Sequence, residues 1–152
     1  MEKRYYVLFV DAQNYSWKNF SRIERNLWKL EPQYKNAGIY CFGLNNEKDG
    51  RLKKWKEVTE GKIDVHWEWL AGKPQKNKVD NAIIESIESL LDNRKVDEIC
   101  IFCLAASDGD YVHVLNKLKA KGIFTIVFGK ENASEILKSK ADMFKPWDEK
   151  RI

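Results

Sequence analysis

Five short apolar runs, separated by stretches of helical periodicity, limit what this chain can fold into more than any other feature. They are Tyr5–Val10, Ile39–Leu44, Ile63–Leu70, Ile99–Ala105 and Ile123–Phe128. Most are continuously apolar and rich in β-branched or aromatic residues, the composition of strands covered on both faces. The third alternates instead, with Ile63, Val65, Trp67 and Trp69 set against Asp64, His66 and Glu68. That pattern predicts an edge strand or one with a wet face. Between the runs lie apolar stripes at helical spacing. Phe20, Ile23, Leu27 and Leu30 form one that ends before Pro32; Ile83, Ile84, Ile87, Leu90 and Leu91 form a second. Tyr111, Val112, Leu115 and Leu118 form a third, stopped by Gly122 in the position of a helix C-cap. Strands alternating with helices predict an α/β fold built on a parallel sheet with right-handed crossovers. No internal repeat, linker or low-complexity segment interrupts the pattern. Residues 1–152 therefore read as a single three-layer domain, long enough to bury a core.

In such a sheet the carboxyl ends of the strands gather at one edge, and ligands bind where the strand order reverses. The carboxylates of this chain are placed accordingly. The first run leads into Asp11-Ala12-Gln13-Asn14, and the fourth into Ala105-Ala106-Ser107-Asp108-Gly109-Asp110. Lys78-Val79-Asp80 opens the second helical pattern. Asp is also favoured as a helix cap or turn residue, which is the plain alternative for Asp11, Asp80 and Asp108. Two acids and a serine within four residues exceed what one cap needs. Gly109 permits a sharp turn that aims both acids at one point. Asn14 and Ser107 can each orient a carboxylate or a water. Four acids at one edge repel one another unless a cation sits among them, and an all-oxygen donor set suits Mg²⁺ or Mn²⁺. His66 and His113 are too few and too far apart to suggest zinc.

Charge points to the substrate class. The net charge of +4 is mild, but residues 48–78 hold nine Lys/Arg against five Asp/Glu. A basic stretch near an acidic site suits a polyanion. Lys73, Lys76 and Lys78 lie in a Gly/Pro-containing loop leading into the pocket, and Arg51, Lys53, Lys54 and Lys56 extend the track. Tyr15 and Trp17 follow Asn14 directly and are placed to stack on bases, although core packing is the default for Trp17.

Cys100 and Cys103 have C-x-x-C spacing inside a strand, where residues three apart face opposite ways, so a core role is expected. Unpaired cysteines suit a reducing, cytoplasmic setting. The first apolar run is too short for a signal-peptide core, and no segment is expected to span a membrane. A homo-oligomer is left open, with Trp28, Trp55 and Trp147 as candidates for an interface.

The three acidic motifs, in this order and context, resemble those of NYN domains, part of the PIN-like nuclease superfamily. The resemblance runs on through Gly122, the strand after it, and Ser134-x-x-Leu137-x-x-x-Ala141-Asp142-x-Phe144. It implies a three-layer, Rossmann-like PIN-like fold, with a mainly parallel five-stranded sheet of order 3-2-1-4-5 and helices on both faces. It also implies a metal-dependent ribonuclease, in which Asp11, Asp80, Asp108 and Asp110 bind Mg²⁺ or Mn²⁺, supported by Asn14 and Ser107. RNA is the implied partner. One position departs from the family pattern. Many NYN sequences carry a second Asp six residues beyond the one matching Asp80, and here that residue is Ser86. The alternative is therefore a non-catalytic RNA- or protein-binding module with a degenerate metal site. Other chemistries fit less well. A haloacid-dehalogenase-type phosphatase needs Asp where Gln13 stands, and neither G-x-G-x-x-G nor a P-loop is present.

Overall fold

A computed structural model describes residues 4–45, 50–71 and 77–146. Six parallel strands form one sheet: β1 (Tyr5–Asp11), β2 (Lys35–Leu44), β3 (Val65–Leu70), β4 (Ile99–Ala105), β5 (Phe124–Gly129) and β6 (Met143–Pro146). Their order is β3-β2-β1-β4-β5-β6, so the chain reverses direction across the sheet between β1 and β4. The five expected strands are all present in the expected order. The sixth was not anticipated, because Met143-Phe144-Lys145-Pro146 is short and ends in proline. A sheet edge tolerates both features. It is held there by parallel pairing with β5.

Helices cover both faces. On one, α1 (Phe20–Trp28) and α2 (Gly50–Thr59) bury Phe20, Ile23, Leu27 and Trp55 against Tyr6, Leu8, Val10 and Cys41. On the other, α3 (Lys78–Asp92), α4 (Val112–Ala120) and α5 (Glu135–Lys140) bury Ile83, Ile87, Leu115, Leu118 and Leu137 against Phe9, Phe102, Leu104 and Val127. Each such side chain contributes about 1.5–3 kcal/mol by leaving water. β1, in the middle, is buried from Tyr6 to Asp11. β3, at the edge, keeps the alternating exposure that its sequence predicts, with Ile63 just before it and 90% exposed. No helix among the described residues is long and apolar enough to cross a membrane. Of the candidate interface tryptophans, Trp55 is fully buried, Trp28 is 60% exposed, and Trp147 lies outside the described residues.

Two bulges shift register. β2 begins earlier than its apolar run because an extra residue near Gly38 is accommodated between the Tyr6↔Asn36 and Leu8↔Ile39 pairs. A second, at Cys100, separates the Tyr5↔Ile99 and Tyr6↔Ile101 pairs of β1 and β4. Strict alternation fails there, so Cys100 packs against the same cluster as Cys103, not the opposite face. Both thiols are free.

α4 ends as its sequence predicts. Gly122 adopts φ +79°, its N–H donates to Lys119 O (2.9 Å), and the Ile123 N–H donates to Leu118 O (3.1 Å). A Cβ at Gly122 would touch nothing within 4 Å, so only backbone strain opposes substitution. Gly122→Ala should therefore lower stability by about 1 kcal/mol, the cost of a left-handed non-glycine residue. Urea unfolding monitored by circular dichroism would detect the shift in midpoint.

Candidate active site

Asp11 is the last residue of β1, and its carboxylate organises the loop that follows. Oδ1 accepts from the backbone N–H of Gln13 (3.1 Å) and of Asn14 (3.2 Å). Oδ2 accepts from Asn14 Nδ2 (2.9 Å), so Asn14 supports Asp11 as its spacing suggested. The side chain is only 2% exposed. Burial raises its pKa to about 6; the donors from Asn14 oppose the shift and the charge of Asp80 adds to it.

Asp80 is not the helix cap its position suggested. Asn77 holds that place, in a left-handed conformation (φ 66°), and Asp80 lies in the first turn of α3 with its side chain 5% exposed. Its Oδ1 accepts from the buried Tyr111 hydroxyl at 3.0 Å. Burial raises its pKa, Tyr111 opposes the rise, and the charges of Asp108 and Asp110 reinforce it. The Tyr111 hydroxyl is in turn driven to hold its proton, by burial and by the charges of Asp11 and Asp80. It therefore serves as a donor.

Asp108 caps the 3₁₀ turn Gly109–Tyr111 that leads into α4, its Oδ1 accepting from the Asp110 N–H at 3.0 Å. The capping role and a site role coexist here. Asp108 and Asp110 are exposed, and one carboxylate oxygen from each lies within 4.8 Å of the others and of one from Asp80. This set of hard oxygen donors, with mutual repulsion raising the pKa of Asp80, fits a divalent cation. Asp11 is not among the three. Its oxygens are engaged in ordering the β1–α1 loop, and it instead lines a cavity of about 420 Å³ with Asn14, Ser107 and Asp108.

Ser107 also lines that cavity, but its Oγ accepts from the Lys130 N–H (3.0 Å) and so ties the end of β4 to the end of β5. Gly109 serves space more than turning. A Cβ there would approach Ser134 Oγ to 3.0 Å, so glycine lets the N-cap of α5 pack close. Tyr15 does not offer a stacking face; at 2% exposure it packs into the core under α1 and α2. Trp17 is half-buried at the same surface. Arg51 Nη1 donates to Gln13 O (2.8 Å), which holds α2 against the Asp11 loop. Lys78 Nζ bonds to Ala71 O. Lys73 and Lys76 lie outside the described residues. His113 is on the surface with Lys117, both beside Glu88 (3.5 and 3.3 Å). Ser86 lines a separate groove of about 990 Å³ with Glu68 and Glu85, away from the acid cavity.

Three contributors escaped the sequence reading: Tyr111 as the donor to Asp80, and Lys130 and Ser134 in the cavity wall. Lys130 was the most accessible, since it follows the fifth strand at the same sheet edge as Asp11 and Asp108.

The sequence model of the NYN domain family matches residues 6–148. No curated protein matches the chain. Among solved structures, a crystal structure of a protein of unknown function from Vibrio parahaemolyticus is similar, with a TM-score of 0.71 and 14% identity over 97% of this chain and 95% of that one. At that identity the likeness concerns the fold alone.

Two outcomes follow from the buried carboxylates. Tyr111→Phe removes the hydroxyl that donates to Asp80 Oδ1 and should cost about 2 kcal/mol, measured by urea unfolding. Asp11 has a folded pKa above its unfolded value, so its stabilising contribution is full below about pH 4 and is lost as pH rises through about 6. Asp11→Asn keeps an acceptor for the two loop amides, and exposed Asn14 can turn its own amide over. In EDTA, the stability of this variant relative to wild type should therefore rise by about 2 kcal/mol between pH 4 and pH 7.

Proposed function

The chain belongs to the NYN domain family of PIN-like nucleases, and on that premise we propose that it is a metal-dependent ribonuclease. The observation that carries this reading is the convergence of Asp80, Asp108 and Asp110, from α3 and the β4–α4 turn, to within 4.8 Å. These three residues would hold Mg²⁺ or Mn²⁺. The cation would supply positive charge for the phosphate and make a nearby water more acidic.

The residues of the chain supply the rest. Tyr111 holds Asp80 in place, and the Asp108 cap on Asp110 N fixes the turn that carries both exposed acids. Preorganisation of this kind means that little rearrangement is needed during reaction. Asp11, with a pKa of about 6, can exchange a proton near neutral pH at the wall of the same cavity. In the hydrolysis, a water oxygen bonds to phosphorus, the P–O bond to the neighbouring ribose breaks, and that oxygen leaves with a proton. Arg51 and Lys130 offer positive charge beside the acid cavity, as RNA phosphates require. A cytoplasmic location and one continuous domain are consistent parts of the same proposal. Ser86 favours no loss of the cluster, since it faces a different groove.

End-labelled RNA incubated with Mn²⁺, Mg²⁺ or EDTA tests the reading. Wild type should cut only with metal. Asp108→Asn should lose at least roughly 100-fold in rate, since loss even of a group that supports a metal ligand costs ~10- to 100-fold. RNA binding by both proteins with no cutting by either would instead establish a binding module.

A further inference from the structure

The acid cavity continues beyond its carboxylates. Asn14 and Lys130 line it and also line a second cavity of about 380 Å³, walled by Ser16, Trp17, Lys18 and Arg51. The shared residues make the two neighbours, a trough of adjoining cavities that passes from Asp11 and Asp108 to the β1–α1 loop. Its far wall is aromatic. Trp17 opens a 3₁₀ turn (Trp17–Asn19) capped by Ser16, whose Oγ accepts from the Lys18 N–H at 3.3 Å. One part of the indole packs against the core, and Lys18 and Lys54 place Nζ 5.7 and 5.5 Å from its ring centre.

Hydrogen bonds fasten the segments that carry the positive groups. Lys130 is anchored through its N–H to Ser107 Oγ, at the junction of the two cavities. Arg51 is held by Gln13 O, and Trp55 Nε1 donates to Ala12 O (3.1 Å), so α2 is fastened to the loop at two points. Lys54 lies one turn beyond Arg51 and so shares its face of α2. An indole face flanked by cations, one of them (Lys54) also paired with Glu57, and lying beside the proposed cleaving centre, has the chemistry of a nucleotide subsite. Aromatic rings take unpaired bases of any identity, and guanidinium and ammonium groups meet the backbone. A lysine resting over a half-buried ring is held more weakly than a stacked base, so Lys18 or Lys54 can yield its place.

We propose that this trough binds the nucleoside next to the scissile phosphate, with its unpaired base stacked on Trp17 and its phosphate met by Lys130 and Arg51. The proposal rests on the ribonuclease reading of the acid cluster and assigns Trp17 and Lys130 to substrate binding. It explains why a basic helix is fastened to the Asp11 loop at all: α2 brings cations to the trough.

The test separates binding from cutting. A short fluorescein-labelled single-stranded RNA is titrated in EDTA, with anisotropy as the readout, against the full chain and its variants. Trp17→Ala should weaken binding about tenfold, and Trp17→Phe should restore most of it. Lys130→Ala should weaken binding and lower the salt dependence by ~0.7 in log–log slope, the loss of one single-strand phosphate contact. Trp28→Ala, at the exposed indole on the far end of α1, should match wild type. A perfectly paired duplex of the same sequence should bind wild type and Trp17→Ala equally. Single-strand affinity unchanged in both Trp17→Ala and Lys130→Ala, or in Lys130→Ala alone if Trp17→Ala does not fold, overturns the subsite while leaving the ribonuclease reading standing. No RNA binding by wild type in EDTA overturns the subsite, and the metal-dependent cutting assay decides the ribonuclease reading separately.

Discussion

Asp80 is taken out of water by α3, and a buried carboxylate needs a donor to remain where it is. The Tyr111 hydroxyl is that donor, and it arrives from the turn between β4 and α4. This one bond joins the segment before β4 to the segment after it, at the edge where the sheet reverses. The same turn carries Asp108 and Asp110, so fixing Tyr111 also fixes the distance between the buried acid and the two exposed ones. The cluster is tight because the fold holds like charges together against their repulsion. That stored repulsion is what a divalent cation relieves on binding.

The fold was largely readable because both of its periodicities are strong. The continuous apolar runs could be little other than two-sided strands, and the stripes of α1, α3 and α4 matched their buried faces. What escaped was set by contacts distant in sequence. β6 has no apolar run of its own and exists because β5 offers it an edge. The bulge at Cys100 depends on how β4 pairs with β1, and no local pattern encodes it.

The site was readable to a similar degree. Residue type and position, after a strand for Asp11, Asp108 and Asp110 and at a helix start for Asp80, singled out four acids, but not how they divide. Asp80, Asp108 and Asp110 converge, while Asp11 spends its oxygens on its own loop. Sequence favoured Tyr15 as the stacking residue and the core for Trp17, and the structure reverses the two. Packing separates them, burying the first under α1 and α2 and leaving the second half-open. Tyr111 belonged to an apolar stripe, and nothing local showed that its hydroxyl would reach a carboxylate 31 residues earlier.

The strand order has a consequence in time. β1 leaves the ribosome before the other strands of its sheet, yet one of its two neighbours is β4, and the acids come from segments that straddle the reversal. Chains are made from the N-terminus, and structure forms as segments become available. A nascent chain that has passed β3 already carries Asp11, its ordered loop and the cations of α2, but it has no β4 to seat beside β1. Asp80 is then without Tyr111, and the two exposed acids do not yet exist. The topology thus withholds the acid cluster from any chain that ends short of Tyr111.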